Sequence, residues 1–114
     1  MPDEKREARR VRTDPINVKI NCHVGTIPGY ISNLSERGAR VHIEQELTDP
    51  ELILIVPMIS ENDPPLELKC QKIRVEKDKD FSLNVMALQF TGTSTEDLVK
   101  LQTLMDYYQK KKGV

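Results

Sequence analysis

The chain has 114 residues, a formal net charge of −1, no tryptophan and 4% aromatic residues. This length suits a single domain with an aliphatic core that needs neither a metal nor a disulfide. A charge near zero provides no overall field for nucleic acid or anionic membranes, and no segment approaches the roughly 20 apolar residues of a membrane span. We therefore expect a cytoplasmic domain that binds neither DNA nor RNA and does not insert into a membrane.

The first 14 residues are polar, highly charged and without apolar periodicity. Residues 1–12 carry five basic and three acidic side chains, whereas the remaining chain is net acidic. Val11 is the one apolar side chain larger than alanine in residues 3–12, so little burial offsets the roughly 1–2 kcal/mol per residue that backbone ordering costs. Residues 1–14 are therefore predicted to form a flexible basic N-terminal arm.

The first half of the chain after this arm is typical of β-structure. Apolar and polar residues alternate over residues 16–24, which predicts a long strand with one buried face. A turn is expected over residues 25–29, which end in Pro-Gly, and a short extended run follows at residues 30–31. Alternation resumes over residues 39–43, so two strands are predicted to meet at a corner between these segments.

The corner itself has the sequence Asn33-x-Ser35-x-x-Gly38. Asparagine and serine bond readily to nearby backbone groups, and glycine supplies a conformation that other residues resist. Such a corner is expected to leave an amide, a hydroxyl and a bare backbone N–H together at the surface, which suits an anion attached to a polar ring. The same residues also occur at ordinary corners of β-proteins.

The second half is predicted to supply three more strands. Residues 51–58 form a continuous apolar run, and residues 82–90 form the last strand. Between them, the apolar positions of residues 66–70 fall on one face, whereas those of residues 73–75 fall on the other. A bulge or sharp bend is therefore expected near Gln71.

A helix is predicted at the C-terminus, over residues 93–113. Ser94 followed by Asp97 is a variant of the capping box. An apolar face then repeats at helical spacing, formed by Leu98, Leu101, Leu104, Met105 and Tyr108. The prediction is a mostly β fold, in which a six-stranded antiparallel barrel over residues 15–92 carries one helix across an open end.

The sequence shows no catalytic or metal-binding constellation. His23 and His42 alternate onto polar faces and are predicted to be solvated, so no serine or cysteine has a base within reach. Cys22 and Cys70 lack metal-ligand spacing and a signal peptide, and both are expected to be buried free thiols. We therefore expect no enzyme activity and no cofactor.

Two motifs together give the sequence a specific resemblance. Arg6 and Arg10 form an Arg-x-x-x-Arg pair just before the first barrel strand, and the corner Asn33-x-Ser35-x-x-Gly38 follows one strand and one turn later. This order and spacing resemble the PilZ domain family, which has a six-stranded barrel and a C-terminal helix. The resemblance covers nearly the whole chain and indicates a stand-alone, single-domain member.

The resemblance implies a receptor for the bacterial second messenger cyclic di-GMP. Carried over by motif, the ligand-binding residues are Arg6, Arg10, Asn33, Ser35 and Gly38. Further candidates are Lys5, Arg9 and Arg40. Asn33 replaces the commoner aspartate of the family, and its amide can both donate to and accept from a guanine edge. Because the residue before the first motif arginine is Lys5, two ligand molecules per chain are expected.

A receptor without an attached output domain must act through another protein. The resemblance implies an unidentified effector protein in motility, biofilm formation or virulence control. We expect the arm to be mobile without ligand and to close over a ligand seated on the corner. The alternative hypothesis is an adaptor of the same fold that binds its partner constitutively, without the nucleotide.

Overall fold

A computed structural model describes the backbone of residues 10–77 and 83–113, and the side chains of residues 15–77 and 83–109. Six strands precede one helix: β1 (Arg10–Cys22), β2 (Gly25–Ser35), β3 (Gly38–Ile43), β4 (Glu51–Val56), β5 (Leu66–Lys77), β6 (Asn84–Phe90) and α1 (Thr95–Gly113). The strands close into an antiparallel barrel in the order β1-β2-β3-β6-β5-β4. The predicted mostly β barrel with a C-terminal helix is confirmed.

An aliphatic core fills the barrel and extends beneath the helix. Ile20, Ile31 and Leu54 are completely buried inside the barrel, because alternate residues of each strand point inward. The predicted apolar face of α1 joins this core through Leu101, Leu104 and Met105, and α1 lies against β1 and β5. The helix begins as predicted, since the Asp97 backbone N–H donates to Ser94 Oγ at 3.1 Å.

Strand β1 begins earlier than the sequence predicted. Arg10 pairs with Ser35 and Arg12 pairs with Asn33 across the β1–β2 ladder. The arm predicted over residues 1–14 is therefore wrong for residues 10–14, which belong to β1, and the backbone of residues 10–12 pairs with β2. Residues 1–9, which include Lys5, Arg6 and Arg9, lie outside the described residues.

The turn predicted over residues 25–29 is also wrong. Strand β2 starts at Gly25, and a tight hairpin at His23 and Val24 joins it to β1. Gly25 allows this short connection because its φ is 113°, a value that other residues rarely adopt. Pro28 is tolerated in the strand because it pairs with Lys19 of β1 at a point that β3 does not reach.

Bulges in β5 and β2 change which residues of these strands face outward. The ladder between β5 and β6 shifts register between Lys72 and Arg74, close to the bulge predicted near Gln71. Ile73 is the extra residue and is 55% exposed, so the bulge does not turn it inward. A second shift lies in β2, between Ile31 and Asn33. In both strands the residue after the bulge is moved into phase with the outer face of the barrel.

The two histidines differ in their surroundings. His23 is exposed, as predicted, and its Nδ1 lies 2.5 Å from Asp49 Oδ1. The prediction for His42 is wrong, because its ring is half-buried, stacks on Tyr30 at 4.5 Å between centroids, and places Nε2 2.7 Å from Ser32 Oγ. The cause is the β2–β3 register, which sets Tyr30 directly beside His42.

Both cysteines are free, but only Cys70 is fully buried. Burial raises the pKa of the Cys70 thiol to about 12. At pH 8 only about one Cys70 thiol in 10⁴ would be ionised, and the thiolate is the reactive form. We expect a thiol-reactive dye to leave Cys70 unlabelled in the folded Cys22→Ala variant and to label it fully in denaturant. Rapid labelling of the folded variant would contradict this burial.

Candidate ligand-binding site

The corner between β2 and β3 is held by the Ser35 hydroxyl. Ser35 is 6% exposed, and its Oγ accepts hydrogen bonds from the backbone N–H groups of Arg37 and Gly38, both at 3.1 Å. The bare backbone N–H expected at this corner is therefore not present at Arg37 or Gly38, whose N–H groups are both bonded. The Ser35 hydroxyl and the Gly38 N–H are hydrogen-bonded to each other, because the turn folds Gly38 back onto Ser35.

Gly38 is required by a close approach between two strands. A Cβ atom at this position would lie 2.1 Å from the backbone oxygen of Leu88 in β6. The glycines with a positive φ in the described chain are Gly25 and Gly92, so Gly38 does not supply the unusual conformation that we expected. Its lack of a side chain instead lets β3 start against β6.

Asn33 and Arg40 lie side by side on the outer face, next to this corner. They are paired across β2 and β3, and Arg12 of β1 pairs with Asn33 from the other side. Asn33 is half-buried, whereas Arg40 is exposed. The bulge before Asn33 produces this arrangement, since without it Asn33 would share the inward phase of Ile31.

A shallow pocket of about 270 Å³ opens on this face of the barrel. It brings together four of the predicted residues: Asn33, Ser35, Gly38 and Arg40. The backbone of Arg10 lies beside them, opposite Ser35. The remaining lining residues were not predicted as part of the site: Arg37, Ala39, Arg74, Ala87, Leu88 and Gln89. Arg74 could have been identified from the predicted bulge, because a bulge reverses the face of the barrel on which the following residues lie. The sequence gives no comparable indication for Ala87 and Gln89.

The lining of the pocket is cationic. Arg37, Arg40 and Arg74 contribute guanidinium groups, and no acidic side chain is among the described lining residues. Arg74 Nε also lies 3.2 Å from Glu76 Oε2, in an ion pair with both side chains more than half exposed. Guanidinium groups and an amide around a shallow pocket can bind phosphate and the edges or faces of bases. They offer no nucleophile with a base beside it.

This geometry agrees with a match to a family model. The model described as PilZ domain matches residues 4–107. The chain belongs to the PilZ domain family. PilZ domains are nucleotide-binding receptor or adaptor domains and not enzymes, so the chain is not an enzyme.

Solved structures with the same fold include several PilZ proteins. The PilZ domain of YcgR from Escherichia coli is 15% identical, with a TM-score of 0.76 over 95% of this chain and 94% of that one. MotI, an inhibitor of motility from Bacillus subtilis, is 21% identical, with a TM-score of 0.72 over 98% of this chain. This chain spans only 56% of the length of MotI. PlzA from Borreliella burgdorferi is 12% identical, with a TM-score of 0.61 over 95% of this chain and 54% of PlzA.

No curated protein matches the sequence significantly. Among the described residues, the one helix is too polar to cross a membrane. The same residues contain no group of three or more histidine, cysteine, aspartate or glutamate side chains that could hold a metal ion.

Proposed function

We propose that this PilZ domain binds cyclic di-GMP on the pocket face of the barrel and relays the ligand to an effector protein. The observation that carries the proposal is the register of β1 and β2. It places the second motif arginine, Arg10, opposite Ser35, and it places Arg12 opposite Asn33. The backbone of the last residue of the first motif therefore lies beside the second motif, at one edge of the cationic pocket.

The chemistry of the ligand suits these residues. Cyclic di-GMP carries two phosphates and two guanines, and an arginine can pair with a phosphate, dock on guanine O6 and N7, or stack on a base. We assign these contacts to Arg6 and Arg10, with Lys5, Arg9 and Arg40 as further cations. Asn33 would bind a guanine edge. Ser35 and Gly38 would contribute by fixing the turn and admitting β6, since their own polar groups are already bonded to each other.

Related structures support this ligand. The PilZ domain of YcgR and the PlzA protein were both solved with cyclic di-GMP. MotI is named as an inhibitor of motility, which supports motility as one process that an effector of this chain could control. The free thiols of Cys22 and Cys70 fit a cytoplasmic location for such a receptor.

Isothermal titration with cyclic di-GMP tests the proposal. A dissociation constant in the micromolar range needs only about 8 kcal/mol net, and each hydrogen bond to a charged group contributes roughly 1.5–3 kcal/mol. Cyclic di-AMP is the matched control, because its adenines lack the guanine O6 acceptor. Failure to bind cyclic di-GMP at millimolar ligand would contradict the receptor function and leave a constitutive adaptor.

The same titration gives the stoichiometry. We predict two ligand molecules per chain, because Lys5 precedes the first motif arginine and its ammonium can reach a second phosphate. The Lys5→Leu variant should then saturate at one ligand per chain. Saturation of the parent protein at one ligand would contradict the prediction.

A further inference from the structure

One row of paired residues crosses the outer face of the barrel through the pocket. Asn33 of β2 pairs with Arg40 of β3, Arg40 pairs with Ala87 of β6, and Ala87 pairs with Arg74 of β5. Residues directly opposite one another in a ladder share one face of the sheet. Arg40 and Arg74 therefore flank Ala87 on its two sides.

The bulge in β5 places Arg74 in this row. Before the bulge, the even-numbered residues of β5 point into the core, as the burial of Leu68 and Cys70 shows. The register shift between Lys72 and Arg74 reverses that phase. Without the bulge, Arg74 would point toward the core. The bulge interrupts the regular β5–β6 ladder and thereby places the Arg74 guanidinium at the pocket.

The spacing of the two arginines fits a planar ring. Adjacent strands lie roughly 5 Å apart, so the Cα atoms of Arg40 and Arg74 are separated by about 10 Å. A ring stacked between two guanidinium groups needs about 7–8 Å between their planes. Both side chains and Ala87 line the same pocket, so a planar ring seated over the small Ala87 side chain would have an arginine on each side.

The partners of the two guanidinium groups leave their faces available. Arg74 is held at Nε by Glu76, which fixes one edge of the group, and both side chains of this pair are more than half exposed. Among the side chains of residues 15–77 and 83–109, Arg40 has no ion-pair partner and no side-chain hydrogen bond. Arginine stacks on the faces of bases through its planar cation.

We propose that Arg74 is a further ligand-binding residue and that it holds one guanine of cyclic di-GMP against Arg40, above Ala87. This inference rests on the proposed function. It adds a contact from β5, a strand that neither sequence motif includes. It also assigns a role to Ala87, whose small side chain leaves a space for the base that a larger side chain would fill.

Titration of variants with cyclic di-GMP tests the inference. Arg74→Ala is expected to weaken binding about tenfold. Arg74→Lys should weaken it similarly, because an ammonium keeps the charge but has no planar face. Lys69→Ala, an exposed cation of the same strand outside the pocket, is the matched control and should bind like the parent. Full affinity of Arg74→Ala or of Arg74→Lys would overturn the inference.

Position 87 gives a second test. Ala87→Leu should fold, since Ala87 is on the outer face and leucine is compatible with a strand, yet it should lose at least tenfold in affinity by filling the gap. Lys69→Leu, which places the same side chain on the outer face of β5 outside the pocket, is the control and should bind like the parent. If Ala87→Leu binds as tightly as the parent, no ring lies between the arginines.

Side-chain NMR separates a stacked base from a bound phosphate. Cyclic di-GMP should shift the Arg74 Nε–H resonance upfield through the guanine ring current, whereas inorganic phosphate should leave it in place. An equal shift with phosphate would overturn the stacking assignment. If the parent protein does not bind cyclic di-GMP, the proposed function fails, whereas binding by the parent with unchanged variants refutes only the role of Arg74.

Discussion

Replacing Arg10 with alanine is expected to lower the affinity for cyclic di-GMP by at least a hundredfold. Arg10 is the motif arginine whose backbone lies opposite Ser35, at the edge of the pocket. Two hydrogen bonds between its guanidinium and the ligand would contribute roughly 3 kcal/mol or more, which is equivalent to that factor. The Tm of the free protein should hardly change, because Arg10 is the first residue of β1.

Two further variants show whether the effect belongs to the guanidinium. Arg10→Lys should recover little affinity, since lysine cannot form the bidentate contact. Lys19→Ala removes an exposed cation from the same strand, away from the pocket, and should bind like the parent. Calorimetry measures all three. If Arg10→Ala retains the parent's affinity, the site does not include β1, and the register argument for the function fails.

Much of the barrel was predictable because each strand follows a period of two. The buried residues of β1 and β3 fall on the alternate positions that the sequence marks as apolar, and the helix follows its own repeat through Leu101 and Met105. The strand ends were less predictable. Residues 10–14 contain charged side chains and are followed by Pro15, so nothing local shows that they belong to β1 or that residues 10–12 pair with β2.

Only the part of the candidate site that lies at the corner between β2 and β3 was predictable from the sequence. Asn33, Ser35, Gly38 and Arg40 are close in sequence, and the structure brings them to one pocket. Arg74 comes from a strand 34 positions beyond Arg40, and only the barrel closure and the bulge bring them together. Such pairings are set by tertiary register, which a single sequence does not encode locally.

Position 38 separates the motif's role in folding from its role in binding. The sequence resemblance places Gly38 among the ligand-binding residues, whereas the structure shows that a Cβ there would meet the Leu88 carbonyl oxygen at 2.1 Å. Because that oxygen belongs to the backbone of a neighbouring strand, no side-chain rotation can relieve the contact. The strands must separate, or the start of β3 must shift, to accept any larger residue.

Gly38→Ala is therefore expected to destabilise the free protein by about 3 kcal/mol or more, which corresponds to a fall in Tm of roughly 10–15 °C for a domain of this size. Gly92→Ala is the control, because its Cβ would enter open space and only its positive φ of 63° resists the change. That strain costs about 1–2 kcal/mol.

Thermal denaturation without ligand distinguishes the two variants. An unchanged Tm for Gly38→Ala would mean that β3 and β6 do not approach so closely, and the glycine at position 38 would then have to be explained by ligand contact. A large fall in Tm, with ligand binding retained at a temperature where the variant is folded, would show that Gly38 serves the barrel first and the site only through it.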